Sequence, residues 1–492
     1  MSIEQQDANS DNKLKTKVMT GLFWSFGERV IAQGVSFIVS IILARILMPE
    51  EYGVVAILLA FINLANVFVA NGFGESLVKK PNANATDFST VFYCSFAVSW
   101  VLYFILFFSA PAIASFYSQG SLTSLLRILA LQIPFSSICT IQQAYVSKHM
   151  IFKKFFFSTF GGTLVSGIIG IAMAYAGCGA WSLVAQYLVN TVINTIILFF
   201  IVPWRPKLLF KAQSAKELIG YGWKLTASSF INELYAELRS LIIGRMYSSQ
   251  DLAYYNRGNQ FPSLIITNVD TAIGKVVFPA MVKVADKAEH LKSASRRAMK
   301  TTSYVIFPLM IGLFVVAEPL VEVLLTDKWS FCVPFIQCSC IFYMCQPIQT
   351  TNWQIIKAVG RSDLCLKLEV IKKIIGVAII VASMYFGVFA IAFGNALFGI
   401  ISMIINILPN KKLIGYSAFE QIKDLAPSLL LSIFMGGIIS LISYLQLNNM
   451  ITLLLQVVCG CIIYVFGSII FKIESFKYIV GILKSLLKIK QK

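Results

Sequence analysis

The sequence predicts an all-α polytopic membrane protein of about fourteen transmembrane helices, in two pseudo-symmetric six-helix lobes followed by two C-terminal helices. Three observations predict it. First, 57% of the 492 residues are hydrophobic and 13% charged, with mean hydropathy +0.76. Soluble domains run nearer about 45–50% apolar and about 25% charged. At roughly 20 apolar residues per span, the apolar content suffices for about a dozen to fifteen helices and excludes long outside domains. Second, Lys and Arg collect in alternate connecting segments, as cytoplasmic loops do. One missed helix would put the later basic loops on the wrong side, so the alternation also checks the count and places both termini inside. Third, shifting the sequence by 200 residues lays Arg45 on Arg245, Glu51 on Asp251 and Gly74 on Gly274, while Trp24 and Trp223 miss by one. A duplicated unit with an even number of spans relates its halves by an axis along the membrane normal.

The elements follow in order. Residues 1–17 form a polar cytoplasmic tail, and the first apolar run is too long for a cleavable signal. The N-lobe covers 18–202. Its first helix (18–47) holds Glu28, Arg29 and Gln33, and its second (52–78) holds Asn63, Asn66 and Asn71. Helices three to six follow at about 88–109, 121–147, 155–175 and 181–202. The sequon-like Asn84-Ala85-Thr86 falls on the cytoplasmic side and reads as coincidence. On the sixth helix Gln186, Asn190 and Asn194 recur every fourth residue and form one polar stripe. A basic, proline-bearing connector (203–216) marks the boundary to a C-lobe over 217–408. Helices 13 and 14 occupy 425–471. Residues 472–492 alternate Phe476, Ile479 and Leu483 with Lys477, Lys484 and Lys488, an amphipathic helix for the inner leaflet. Pro134, Pro262, Pro308 and Pro347 fall within spans and mark kinks.

The stretch 221–300 stands out. A seventh helix carries Lys224, Glu233, Glu237, Arg239 and Arg245; an eighth carries Arg257 and Asp270; a basic segment with Lys292, Arg296, Arg297 and Lys300 closes it. Charges in hydrocarbon-length helices are costly in lipid and face a polar interior. The expectation is a partly cationic cavity inside the membrane.

The net charge of +18 points to cytoplasmic loops beside anionic lipid heads rather than to nucleic acid, for which no soluble domain exists. The ten cysteines and two histidines show no metal-ligand spacing, and the cysteines read as small packing residues.

Two motifs in the first lobe, Glu51-Tyr52-Gly53-Val54-Val55-Ala56 and Asn71-Gly72-Phe73-Gly74-Glu75-Ser76-Leu77-Val78, resemble the second-helix signature of bacterial polysaccharide flippases. Leu252-Ala253-Tyr254-Tyr255-Asn256-Arg257-Gly258 with Val276-Val277-Phe278-Pro279-Ala280 is similar to their eighth helix, and Ala358-Val359-Gly360-Arg361-Ser362-Asp363-Leu364 to the loop before their eleventh. The resemblance covers about residues 15 to 410. The family is the polysaccharide-transporter, O-antigen-flippase branch of the multidrug/oligosaccharidyl-lipid/polysaccharide (MOP) exporter superfamily. It implies twelve core helices in two MATE-like lobes. It also implies movement of polyprenyl-pyrophosphate-linked oligosaccharide, a repeat unit of lipopolysaccharide, capsule or exopolysaccharide, across the bacterial inner membrane by alternating access.

Such a substrate is anionic and rich in hydroxyls, and both groups lose hydration in lipid. Arg and Lys would hold the phosphates: Arg29, Arg127, Lys224, Arg239 and Arg257 are the candidates. Each could instead pair locally, Arg239 with Glu233 or Glu237 and Arg257 with Asp270, while Arg127 could snorkel. Gln186, Asn190, Asn194, Asn66 and Asn71 could serve sugar hydroxyls or join helices by hydrogen bonds. Glu233 and Glu237, on one face, and Asp270 could take a coupling proton or sodium ion. No other cofactor and no metal is expected. The expected partners are membrane lipids, the lipid-linked glycan and other polysaccharide assembly proteins. A drug/cation antiporter of the same superfamily is the nearest rival. A membrane glycosyltransferase or polymerase would need a sizeable outer loop, and a direct ATPase a phosphate-binding glycine loop; neither is present, so the chain is not expected to be an enzyme.

Overall fold

A computed structural model describes residues 31–70, 77, 84–149, 151–284 and 287–489; the side chains at 152–154, 214, 217–219, 221, 224, 270–280, 283 and 482–489 fall outside it. The described residues are helical with short connections and contain no strand. The chain divides into two compact units, Met1–Leu252 and Ala253–Lys492.

In the first unit, α1 (Ile31–Ile46) leads into α2 (Pro49–Ala70), α3 (Ala85–Phe116), α4 (Leu122–Leu129), α5 (Gln132–His149), α6 (Phe152–Tyr175), α7 (Ala180–Ile201) and α8 (Ala212–Met246). Asn84 caps α3: its Oδ1 accepts from the Asp87 amide at 2.9 Å, and the Asp87 carboxylate accepts from the Asn84 amide at 3.1 Å. The sequon is therefore a capping box. α6 and α7 pack as a hairpin, α5 packs on α2, α3 and α7, and α8 packs on α2 and α3. The basic connector lies down on α3, where Ser89 and Thr90 hydroxyls accept from the Lys207 and Lys211 amides, each at 3.1 Å. Trp204 joins Phe88, Val91, Ile141 and Leu198 in a buried cluster. The second copy of the sequence repeat starts beyond this connector, but the compact unit closes after α8, because connector and α8 are both fastened to the first unit.

The second unit holds α9 (Ser249–Lys283, whose first turn belongs to the first unit), α10 (Ala288–Leu324), a 3-10 turn (Asp327–Cys332), α11 (Val333–Met344), α12 (Gln346–Ala358), α13 (Ser362–Ser383), α14 (Val388–Ile407), α15 (Asn410–Ile414), α16 (Ala418–Leu441), α17 (Asn449–Ile470) and α18 (Glu474–Ile489). α10 is its central element and packs on α11, α12, α16, α17 and α18. A buried polar knot ties α12, α15 and α16 together. Asn352 donates to Gln421 at 2.9 Å, and Asn410 donates to Asn352 at 2.6 Å. All three are fully buried. Beside it, Tyr416 OH donates to Asp424 at 2.8 Å. Burial and the adjacent carboxylate push this phenol well above its usual range, so it stays a donor.

The all-helical expectation is met among the described residues. Among the described residues, ten helical segments are long and apolar enough to cross a membrane. The long helices α8, α9 and α13 carry more charge, and the described part of α1 is shorter. The duplicated breaks are visible in the backbone. α1 ends at Ile46 and α8 at Met246; α2 starts at Pro49 and α9 at Ser249. Glu51 accepts from the Met48 amide at 2.7 Å, and Asp251 accepts from the Ser248 amide at 3.3 Å, so the aligned acids do one job.

Several boundaries differ from expectation. The basic segment 292–300, which closes the charged stretch, is helical: α10 starts at Ala288 and runs through it into an apolar span. Residues 288–300 contain no Gly or Pro and are rich in Ala, Leu, Met, Lys and Arg, all strong helix formers. Spans four and ten are each broken, at Ala130–Leu131 and at Cys345, just before Pro134 and Pro347, as proline dictates. α9 and α10 continue past Pro262 and Pro308 as single helices. The opening of α18 is covered by protein: Ile473 is buried in a cluster with Tyr304, Leu431 and Tyr464, and Phe476 and Ile479 pack against it.

Candidate substrate site

The charged face of α8 meets the asparagine face of α2 inside the first unit. Asn63 Nδ2 donates to Glu237 Oε1 at 2.9 Å. Asn66 lies one turn further along that face of α2, and its Oδ1 is buried without a hydrogen-bond partner. Glu233 lies one turn from Glu237 on α8, and both are half-buried. Arg239 is 9% exposed and donates to Tyr235 OH at 3.4 Å, its guanidinium 5.3 Å from the Tyr235 ring centroid. Four of the expected residues, Asn66, Glu233, Glu237 and Arg239, therefore sit on two neighbouring helices, and Asn63 and Tyr235 join them. Sequence pattern had a signal for Asn63, which shares a face with Asn66 at i, i+3 spacing. It had none for the Asn63–Glu237 contact, which spans 174 residues.

The stripe on α7 faces α6. Asn190 donates to Ser166 at 3.3 Å and to Thr163 at 3.5 Å. Built Cβ atoms on Gly162 and Gly170 would stand 3.0 Å from the Asn190 carbonyl oxygen and 3.1 Å from Gln186 Cβ. Small residues on α6 thus let the stripe approach, the pattern of polar adhesion between membrane helices. Asn194 Oδ1 is buried and without a hydrogen-bond partner.

Arg127 has a local task. Pro111 has no amide hydrogen to give the Phe107 carbonyl one turn earlier in α3. Arg127 Nε fills the gap, donating to Phe107 O at 3.2 Å, with its guanidinium 4.4 Å from the Phe107 ring centroid. Neither the snorkelling nor the cavity-lining expectation anticipated this clasp.

Arg257 lies in the second unit and is 6% exposed. It donates to Gln260 Oε1 at 2.6 Å and lies 5.0 Å from the Trp329 ring centroid. Eight residues into α9, it stands about 12 Å from the helix start at about 1.5 Å per residue. It therefore sits beside the 3-10 turn that carries Trp329, toward the end of α9 rather than its middle. Gln260 and Trp329 are partners the sequence did not indicate. Arg29 and Asn71 lie outside the described residues, as do the side chains of Lys224 and Asp270. Among the described residues no cluster of His, Cys, Asp or Glu could hold a metal ion.

What the helices can do is carry amides, carboxylates and guanidinium groups at membrane depth, each seated by a neighbour. The fold that does so is that of a class of multi-pass membrane transporters. The structure superimposes on that of lipid II flippase MurJ in an inward closed conformation with a TM-score of 0.73 and 16% identity, over 92% of this chain and 98% of that one. An inward-facing multidrug resistance MATE family transporter of the MOP superfamily gives 0.62 at 13% identity, over 78% of this chain and 94% of that one.

Within that class the sequence is more specific. Residues 42–334 match the family model described as polysaccharide biosynthesis protein, and the chain belongs to that family. Lipopolysaccharide biosynthesis protein WzxC of Escherichia coli (strain K12) is 24% identical over 413 residues, 83% of this chain and 84% of that protein. Succinoglycan biosynthesis transport protein ExoT of Rhizobium meliloti (strain 1021) is 26% identical over 311 residues, 63% of each. Teichuronic acid biosynthesis protein TuaB of Bacillus subtilis (strain 168) is 26% identical over 309 residues, 61% of this chain and 62% of that protein.

Proposed function

We propose that this chain is a flippase that moves a polyprenyl-pyrophosphate-linked oligosaccharide across the bacterial cytoplasmic membrane by alternating access, with both termini in the cytoplasm and about fourteen spans. The family match over residues 42–334 carries this reading. The printed roles of the relatives, lipopolysaccharide, succinoglycan and teichuronic acid biosynthesis, support a glycan as cargo, and the fold shared with a lipid II flippase supports a lipid-linked one. The repeat units are 18–202 and 217–408. The chain performs no bond-making step and needs no cofactor.

The chemistry agrees. A pyrophosphate sugar gives up many hydrogen bonds on leaving water. Amides and cations seated beforehand on α2 and α8 replace them at little reorganisation cost. Arg239 in the first unit is a phosphate partner, as is Arg257 in the second, Asn63 and Asn66 serve hydroxyls, and Glu233 with Glu237 accepts a coupling proton or sodium ion. Other proteins of polysaccharide assembly supply the substrate and take up the product.

The test is export in a strain lacking its own flippase. Wild-type protein restores surface polysaccharide. Arg239→Gln combined with Arg257→Gln abolishes it at normal membrane abundance. Normal export by that double variant would remove the two arginines from the site. If the purified wild type carries organic cations and leaves the anionic glycolipid in place, the chain is a drug exporter instead.

A further inference from the structure

We propose that a basic cavity where α10 meets α18 binds the phosphate of an anionic glycerophospholipid at the cytoplasmic surface. This site is separate from the residues assigned to transport above. The cavity has a volume of about 870 Å³, and five basic and two acidic side chains line it. Lys292, Arg296, Arg297 and Lys300 come from the polar first turns of α10, and Lys477 comes from the opening of α18. Like charges one turn apart on a helix destabilise it unless anions lie against them.

Protein groups supply part of that. Asp424 holds Arg296 at 2.7 Å and Lys300 at 3.4 Å, Glu420 holds Lys292 at 3.0 Å, and Glu474 holds Lys300 at 3.0 Å. Arg297 and Lys477 have no such acid: neither forms an ion pair among the described residues. The Arg297 guanidinium lies 5.4 Å from the Tyr478 ring centroid. Lys292, Arg296 and Lys300 are thus paired with carboxylates, one of which, Glu474, lines the cavity itself, and two cations are left for a ligand. Ser293, Thr301 and Ser475 hydroxyls share the lining. A phosphate diester accepts from both kinds of donor.

Level in the membrane favours a lipid over a soluble phosphate. The cavity lies where the basic turns of α10 give way to its apolar length and where α17 ends at Ile470. That is headgroup depth, on the face rich in Lys and Arg. Basic pockets between helices on that side suit anionic headgroups, and Tyr478 at the rim is a residue type enriched at that depth.

The experiment follows the thermal stability of the full-length purified protein in detergent during titration with phosphatidylglycerol, phosphatidylcholine or glycerol 3-phosphate. Phosphatidylglycerol should stabilise the wild type and phosphatidylcholine should not. Arg297→Gln with Lys477→Gln should weaken the phosphatidylglycerol effect about ten-fold or more, at about 1 kcal/mol per basic group near an anionic surface. Glu474→Gln should strengthen it, a direction that damage to folding cannot mimic. Equal response of wild type and double variant overturns the site. Equal stabilisation by glycerol 3-phosphate overturns the lipid as the source and leaves a site for soluble phosphates.

Discussion

A proline inside a helix leaves one carbonyl without its amide, and the chain answers this twice with a side chain from elsewhere. Arg127 donates to Phe107 O, freed by Pro111. Tyr464 OH donates to Tyr304 O at 2.8 Å, freed by Pro308. In lipid no water can take the place of these donors. Leaving a buried acceptor bare costs about 1–3 kcal/mol. Arg127→Met should therefore destabilise the protein by about that much in reversible unfolding. In a Pro111→Ala background, where the backbone amide returns, the same change should cost well under about 1 kcal/mol. Equal costs in the two backgrounds would refute the clasp. Two glycines of the recognised motifs have an equally local reason. A Cβ on Gly53 would lie 1.7 Å from the Ser249 carbonyl oxygen, and one on Gly258 would lie 2.4 Å from Phe335 Cβ. Gly53→Ala meets backbone and should cost more than about 2 kcal/mol, while a control at Gly437, where a Cβ meets nothing within 4 Å, should cost less than about 1 kcal/mol. Melting temperatures of the two purified variants decide this.

At the scale of elements, hydropathy made the helices legible because a span must be about 20 residues of nearly unbroken apolar sequence. It failed at the start of α10, where Lys and Arg read as loop although their intrinsic preference is helical. It also failed to show which helices touch: the Asn63–Glu237 contact and the Asn352–Asn410–Gln421 knot join distant segments, and no pattern within one helix reports its neighbour. Asp424 is the pin between α16, the basic turns of α10 and Tyr416. Its side chain is 6% exposed, and Arg296 forms two 2.7 Å hydrogen bonds with it. Replacing this buried acid leaves Arg296, Lys300 and the Tyr416 hydroxyl without their shared acceptor. Asp424→Asn should speed amide hydrogen exchange in 288–300 and in α18 while leaving α2 to α7 unchanged. Uniform acceleration through the chain would mean general destabilisation rather than loss of a pin.

At the scale of the molecule, the sequence alignment of the two halves has a structural match in the backbone, at the aligned acids Glu51 and Asp251. Glu51 and Asp251 each accept from a backbone amide three residues earlier, at the turn between two helices. The candidate site was readable only as a list of polar residues in apolar helices, which are expensive to bury in lipid. Their division of labour was not. Arg127 serves a proline, the α7 stripe serves α6, and Asn66, Glu233, Glu237 and Arg239 gather on α2 and α8. The proposed path of the anionic glycolipid is that α2–α8 face. Purified protein in liposomes, loaded with labelled polyprenyl-pyrophosphate-linked oligosaccharide, measures this directly through the fraction of glycan that becomes accessible to a glycosidase on the far side. The account predicts translocation by the wild type, and loss of about ten-fold or more in rate with Arg239→Gln or with Glu237→Gln combined with Asn63→Leu. Translocation at the wild-type rate by both variants, in protein of unchanged melting temperature, would contradict it.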